Sequence, residues 1–132
     1  MIDKLKVRWK NLWQKLHVGT VPQIILEKLI QAYSLTDRFY HNLTHISDCF
    51  SIFDQTKFLA AYAEEVELAI WFHDAVYDTG RDDNEQKSAE WAERIISRSG
   101  LGSGVAKRVI GLILATCHTA EIWDTDAQLM VD

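Results

Sequence analysis

An all-α bundle of about six to seven helices is the fold this sequence predicts, and three observations carry the expectation. Apolar positions recur at spacings of three and four rather than two, Pro22 is the only proline, and glycine is sparse before residue 100.

The first helix places Leu5, Trp9, Leu12, Trp13 and Leu16 on one stripe, with Lys4, Lys6, Arg8, Lys10 and Lys15 mostly off it. Such a stripe ordinarily packs on its own domain; a basic amphipathic helix on a membrane surface is the rarer use of the same residues. Residues 17–21 form a connector, and Thr20 as N-cap with Pro22 near the first helical position opens a second helix to about Tyr33. Thr36 and Asp37 are cap-type residues ahead of a third helix with an inner face of Leu43, Ile46, Phe50 and Phe53. The fourth is expected from about Leu59 to Val76. It is polar early and apolar late, as suits a central helix that runs into the core.

Gly80 is the natural stop after that helix, and Asp82 or Asp83 caps a fifth with Ala89, Ala92, Ile95 and Ile96 facing inward. Gly100, Gly102 and Gly104 read as a linker, because the Gly-x-Gly-x-Gly run lacks the preceding strand and following lysine of a nucleotide loop. A sixth helix runs from Val105 to Cys117, and a seventh from near Asp124 to Asp132.

With 132 residues, 48% apolar and 25% charged, the chain has the composition of one soluble globular domain. A net charge of −5 with mixed signs leaves no broad cationic face, so a nucleic-acid polymer is not an expected partner. No apolar run is long enough to span a bilayer, and the basic N-terminus lacks the apolar block of a signal peptide. The two cysteines, Cys49 and Cys117, lie far apart without a Cys-x-x-Cys pair, which fits a reducing cytoplasm.

The candidate chemistry starts at residues 71–78, Trp-Phe-His-Asp-Ala-Val-Tyr-Asp, where an apolar helix end runs into an imidazole and two carboxylates. Charged groups at the edge of a core need a partner, and either a cation or a basic side chain satisfies that need. His41 and His45 are four apart, which puts them on one face of the third helix. His73 and Asp74 are neighbours and share an ion only at a helix end, which the turn up to Gly80 supplies. His118 closes the sixth helix, where either the helix dipole or a site accounts for it. Asp132 is either a further carboxylate for the site or a solvated terminus. Mixed nitrogen and oxygen donors suit Mn, Fe, Zn, Ni or Co better than Ca or Mg.

In the order His45, His73-Asp74, late Asp, the chain resembles the HD-domain superfamily, all-α metal-dependent phosphohydrolases. It is most similar to a branch of small bacterial proteins, predicted metal-dependent HD phosphohydrolases. Three motifs carry the likeness: Arg38-Phe39-Tyr40-His41-Asn42-Leu43-Thr44-His45-Ile46, Ala69-Ile70-Trp71-Phe72-His73-Asp74-Ala75-Val76-Tyr77, and Asp83-Asn84-Glu85-x-x-Ser88-Ala89. It extends from about Arg8 to Asp132.

The resemblance implies an HD-type helix bundle over residues 1–132 and hydrolysis of a phosphate ester or nucleotide by a metal-activated water. It implies His45, His73 and Asp74 as ligands and Asp132 as a provisional fourth. His41 is expected as second-layer support, phosphate contact or ligand of a second ion. Arg38 is expected to face substrate phosphate; His118, if it belongs to the site, is expected to contact substrate or support the ligands. Asp78, one helical turn after Asp74, is expected to take a proton from the attacking water, with Glu85 as the alternative base. Asp132 matches the first Asp of an Asp-x-Asp pair in this branch, so the domain is expected to be truncated at its C-terminus. Two other readings use the same residues: a non-catalytic nucleotide- or metal-binding regulatory module, and a structural or interaction protein without metal, which a wide separation of His45 and His73 would support.

Overall fold

The fourth helix of the chain is apolar around most of its circumference, and a helix of that kind has to be enclosed by others. The computed structural model describes residues 1–38, 40–78, 80–116, 126 and 130, and among these every regular element is helical. Among the described residues six α-helices are delimited: α1 (Ile2–Lys15), α2 (Gln23–Tyr33), α3 (Leu43–Thr56), α4 (Ala63–Phe72), α5 (Asn84–Ser99) and α6 (Ser103–Ala115). One 3-10 turn, Lys57–Leu59, follows α3. The all-α expectation holds, and of the expected seventh helix from Asp124 to Asp132 only Asp126 and Met130 are described, both helical. None of the described helices is long and apolar enough to cross a membrane.

Helix α4 is the axis, packed against α1, α3, α5 and α6. Val66, Leu68, Ala69, Ile70, Trp71 and Phe72 are all buried on it. The stripe of α1 meets it through Trp9, which stacks edge-on against Trp71 with ring centroids 5.1 Å apart. Leu5, Trp9, Leu12 and Trp13 are buried, which assigns that stripe to the domain's own core. Two charged contacts clamp the polar start of α4: Arg8 of α1 reaches Glu67 at 2.7 Å, and Arg108 of α6 grips both oxygens of Glu65 at 2.6 and 2.9 Å. Asp126 accepts from the backbone N–H of Ala61 and Tyr62 at 2.8 and 2.9 Å, holding the chain just ahead of α4.

Several boundaries differ from the expected ones. The second helix is capped by Pro22 rather than Thr20. The third opens at Asn42, whose side chain accepts from His45 N–H at 3.0 Å, and not at Thr36 or Asp37. His41 therefore precedes α3 instead of riding on it. Asp83 is the N-cap residue of α5, but its carboxylate pairs with Arg81 rather than with the helix. Gly100 ends α5 in the left-handed region at φ +83°, where a side chain would be strained, so the glycine linker reading holds.

The largest difference concerns α4, expected to run from Leu59 to Val76 but spanning Ala63–Phe72. Its last carbonyls are taken by other partners. The Trp71 carbonyl accepts from Tyr33 Oη–H at 2.9 Å. Arg38 donates to the carbonyls of Asp74 at 2.6 Å and Ala75 at 2.9 Å. The hydroxyl of Ser88 accepts from Val76 N–H at 3.0 Å and donates to its carbonyl at 3.3 Å. Residues 73–76 thus turn away from the helix under the hold of α2, the segment before α3, and α5.

Candidate metal centre

That turn delivers His73 and Asp74 to the open end of the cavity between α3 and α4. Three imidazoles converge on a single oxygen, Asp74 Oδ2: His41 Nδ1 at 2.7 Å, His73 Nε2 at 3.2 Å and His45 Nε2 at 3.5 Å. Each arrives from a different local structure. His45 is fixed in the first turn of α3 by the Asn42 cap. His73 follows the end of α4, and its Nδ1–H donates to the Ile70 carbonyl at 2.6 Å, which orients the ring with Nε2 toward Asp74 and the cavity. His41 stacks against Tyr77 with centroids 4.2 Å apart.

The distances sort these residues. Two nitrogen or oxygen ligands each about 2.0–2.2 Å from one tetrahedral ion stand about 3.3–3.5 Å from each other. His45 and His73 fall close to that separation from Asp74, whereas His41 sits at hydrogen-bond length and supports the carboxylate. Cys49 joins from the next turn of α3, with its Sγ 3.7 Å from His45 Nε2. Two sets of donors, His41 with His45 and Asp74, and His45 with Cys49 and His73, each have their ligand atoms within 4.8 Å of one another. The residues present therefore fit a divalent ion with imidazole, carboxylate and thiolate preferences. No family model, curated protein or solved structure matches this chain.

Electrostatics agree with a cation-binding cluster. Burial pushes the Asp74 carboxyl up, but hydrogen bonds from His45, His73 and His41 outweigh it and hold the group well below the usual carboxylate range. The hydrogen bond to Asp74, aided by the one to Cys49, pushes the His45 imidazole from 6.5 up to about 10. In the metal-free chain a proton thus stands where a cation can replace it. Beneath the cluster, burial and then the Asp74 charge push the Tyr33 phenol well above its usual value, so it stays a neutral donor to Trp71 and accepts from Asp74 N–H at 3.2 Å.

The cluster opens into a cavity of about 480 Å³. Glu85, on the first turn of α5, lines it together with Tyr40, Thr116 and Met130. Asp78 does not. Because α4 stops at Phe72, the one-turn relation between Asp74 and Asp78 does not exist. Asp78 is exposed, and its carboxylate accepts from Gly80 N–H at 2.9 Å within its own turn. Asn84 holds the same residue by its backbone, donating to the Asp78 carbonyl at 3.0 Å and accepting from its N–H at 3.1 Å. In Asp83-Asn84-Glu85-x-x-Ser88, then, Asn84 and Ser88 shape the turn while Glu85 faces the cavity.

Arg38 also differs from expectation. It is only 6% exposed, and its guanidinium is engaged by the carbonyls of Asp74 and Ala75 instead of pointing at the cavity. No Lys or Arg is among the described residues lining the cavity. His118 and Asp132 lie outside the described residues. Cys49 was not singled out from the sequence as a ligand, although its spacing of four from His45 places both on one helical face.

Proposed function

We propose that this chain is a metal-dependent phosphohydrolase acting on a phosphate ester or nucleotide. The observation that carries the reading is the convergence of His41, His45 and His73 on Asp74 Oδ2 at the wall of an open cavity. In this reading His45, His73 and Asp74 hold the ion, and His41 supports Asp74 by hydrogen bond. A bound divalent ion supplies an acidified water and polarises a phosphoryl oxygen.

The chain's own groups do the rest. The Ile70 carbonyl keeps the His73 ring oriented, and Arg38 and Tyr33 keep the Asp74 backbone in place. Glu85 is the cavity carboxylate suited to accept the proton of the attacking water. Because no described basic side chain lines the cavity, the charge of a substrate phosphate falls to the ion and the imidazoles. A wide separation of His45 and His73 would have supported the structural reading without metal; their ring centroids are 5.9 Å apart.

Metal analysis of the untagged protein beside His73→Ala and Asp74→Ala tests the site. Stoichiometric metal in the wild type and loss in both variants is expected, and equal metal in all three overturns the assignment. A screen of nucleoside mono-, di- and triphosphates and cyclic dinucleotides with manganese or nickel tests the activity. Binding of a nucleotide without turnover of any of them favours a regulatory module instead.

A further inference from the structure

Among the described residues grouped around His45 as possible metal ligands, the Cys49 thiol is the donor that the phosphohydrolase reading does not use. It stands on the same face of α3 one turn beyond His45, half-buried and lining the same cavity. Its Sγ is 3.7 Å from His45 Nε2, and it shares a 4.8 Å neighbourhood with His45 and His73. A thiolate about 2.3 Å and an imidazole about 2.0–2.1 Å from one tetrahedral ion are about 3.6 Å apart. The observed spacing matches that separation.

We propose that Cys49 is a ligand of the metal centre, so that His45, Cys49 and His73, with Asp74 beside both histidines, select a thiophilic borderline ion such as zinc or cobalt. The inference rests on the metal-centre reading and deepens it by naming the class of ion. Coordination replaces the S–H bond by a sulfur–metal bond and releases the thiol proton to solvent. Soft thiolate favours zinc and cobalt over manganese and magnesium, which take oxygen donors. The two donor sets share His45, so an ion moved toward Cys49 and His73 is the softer choice and one toward His41 and Asp74 the harder.

The test is titration of the full chain, kept reduced, with cobalt(II). The wild type is expected to show the near-ultraviolet charge-transfer absorption of a cobalt–thiolate bond at one equivalent. Cys49→Ser is expected to lose that absorption while still binding cobalt, because His45, His73 and Asp74 remain. Cys117→Ser, which removes the only other cysteine, is expected to keep it. Zinc affinity of Cys49→Ser is expected to fall by at least about tenfold while manganese affinity stays within about twofold. Stoichiometric cobalt without the thiolate band in the wild type, or a band lost in Cys117→Ser instead, overturns the role of Cys49 and leaves the metal centre standing. A folded wild type that binds no cobalt overturns both. Should Cys49→Ser fail to fold, the wild-type band together with its persistence in Cys117→Ser decides the matter.

Discussion

Arg38 holds Asp74 by its backbone: one guanidinium nitrogen donates to the Asp74 carbonyl at 2.6 Å while three imidazoles converge on the Asp74 side chain. The residue expected to meet substrate instead holds the backbone of Asp74 and Ala75. Replacing it by Lys loses the forked geometry, and Arg38→Met leaves buried carbonyls without donors. About 2–3 kcal/mol of stability is the expected cost for Arg38→Met, read by chemical denaturation. Metal affinity should fall by about 10–100-fold, as for other groups that orient a ligand. Unchanged metal affinity in a folded Arg38→Met would show that Asp74 keeps its place without the clamp.

Tyr33→Phe removes a buried hydroxyl that donates to Trp71 and accepts from Asp74 N–H. A loss of about 1–3 kcal/mol is expected, since both backbone groups are left unsatisfied. Equilibrium unfolding measures it, and a neutral result would mean that water replaces the hydroxyl.

Metal uptake should release protons. His45 is pushed up to about 10, so near neutral pH an incoming ion must displace its proton. Affinity is therefore expected to rise about tenfold per pH unit for each proton displaced. Calorimetry in buffers of different ionisation enthalpy reads the number directly, and zero protons released argues against His45 as a ligand.

The metal-free chain should show its own pH profile. For His45 the folded value lies above 6.5, so its stabilising contribution is complete below 6.5 and is lost as pH rises through about 10. Asp74 is depressed, so its contribution is present above its unfolded value of about 3.8 and disappears as pH falls toward its folded value. Thermal melts in chelator are expected to decline from about pH 6.5 upward in the wild type and to decline less in His45→Gln. Identical profiles for the two proteins would remove His45 from the ion pair.

Glu85 and Asp78 separate as candidate bases. With Glu85 in the cavity and Asp78 in an exposed turn, Glu85→Gln is expected to lower kcat by about 10²–10⁴-fold with metal content intact. Asp78→Asn should keep most of the rate. Steady-state kinetics on whichever ester is turned over decides between them, and the reverse ranking would return the role to Asp78.

Helical spacing, the scarcity of proline and the stripes led by Trp9 and Ile96 were enough to read an all-α chain with its core faces, because burial along one helix is a local, periodic property. The same holds for the His45 and His73-Asp74 motifs, and Cys49 could have been added from its spacing to His45. Only the tertiary structure decided where helices stop. Asn42 captured the start of α3 and moved His41 off the helix, yet its ring still reached Asp74. Tyr33, Arg38 and Ser88 took the hydrogen-bonding groups that α4 needed to continue, which turned His73 and Asp74 into the cavity and carried Asp78 out to solvent. Those competing partners come from residues 12 to 41 positions away in the chain, so no local pattern around Asp74 records them. The sequence by itself determined which residues could bind an ion; the packing of α2, α3 and α5 around the end of α4 decided which of them meet.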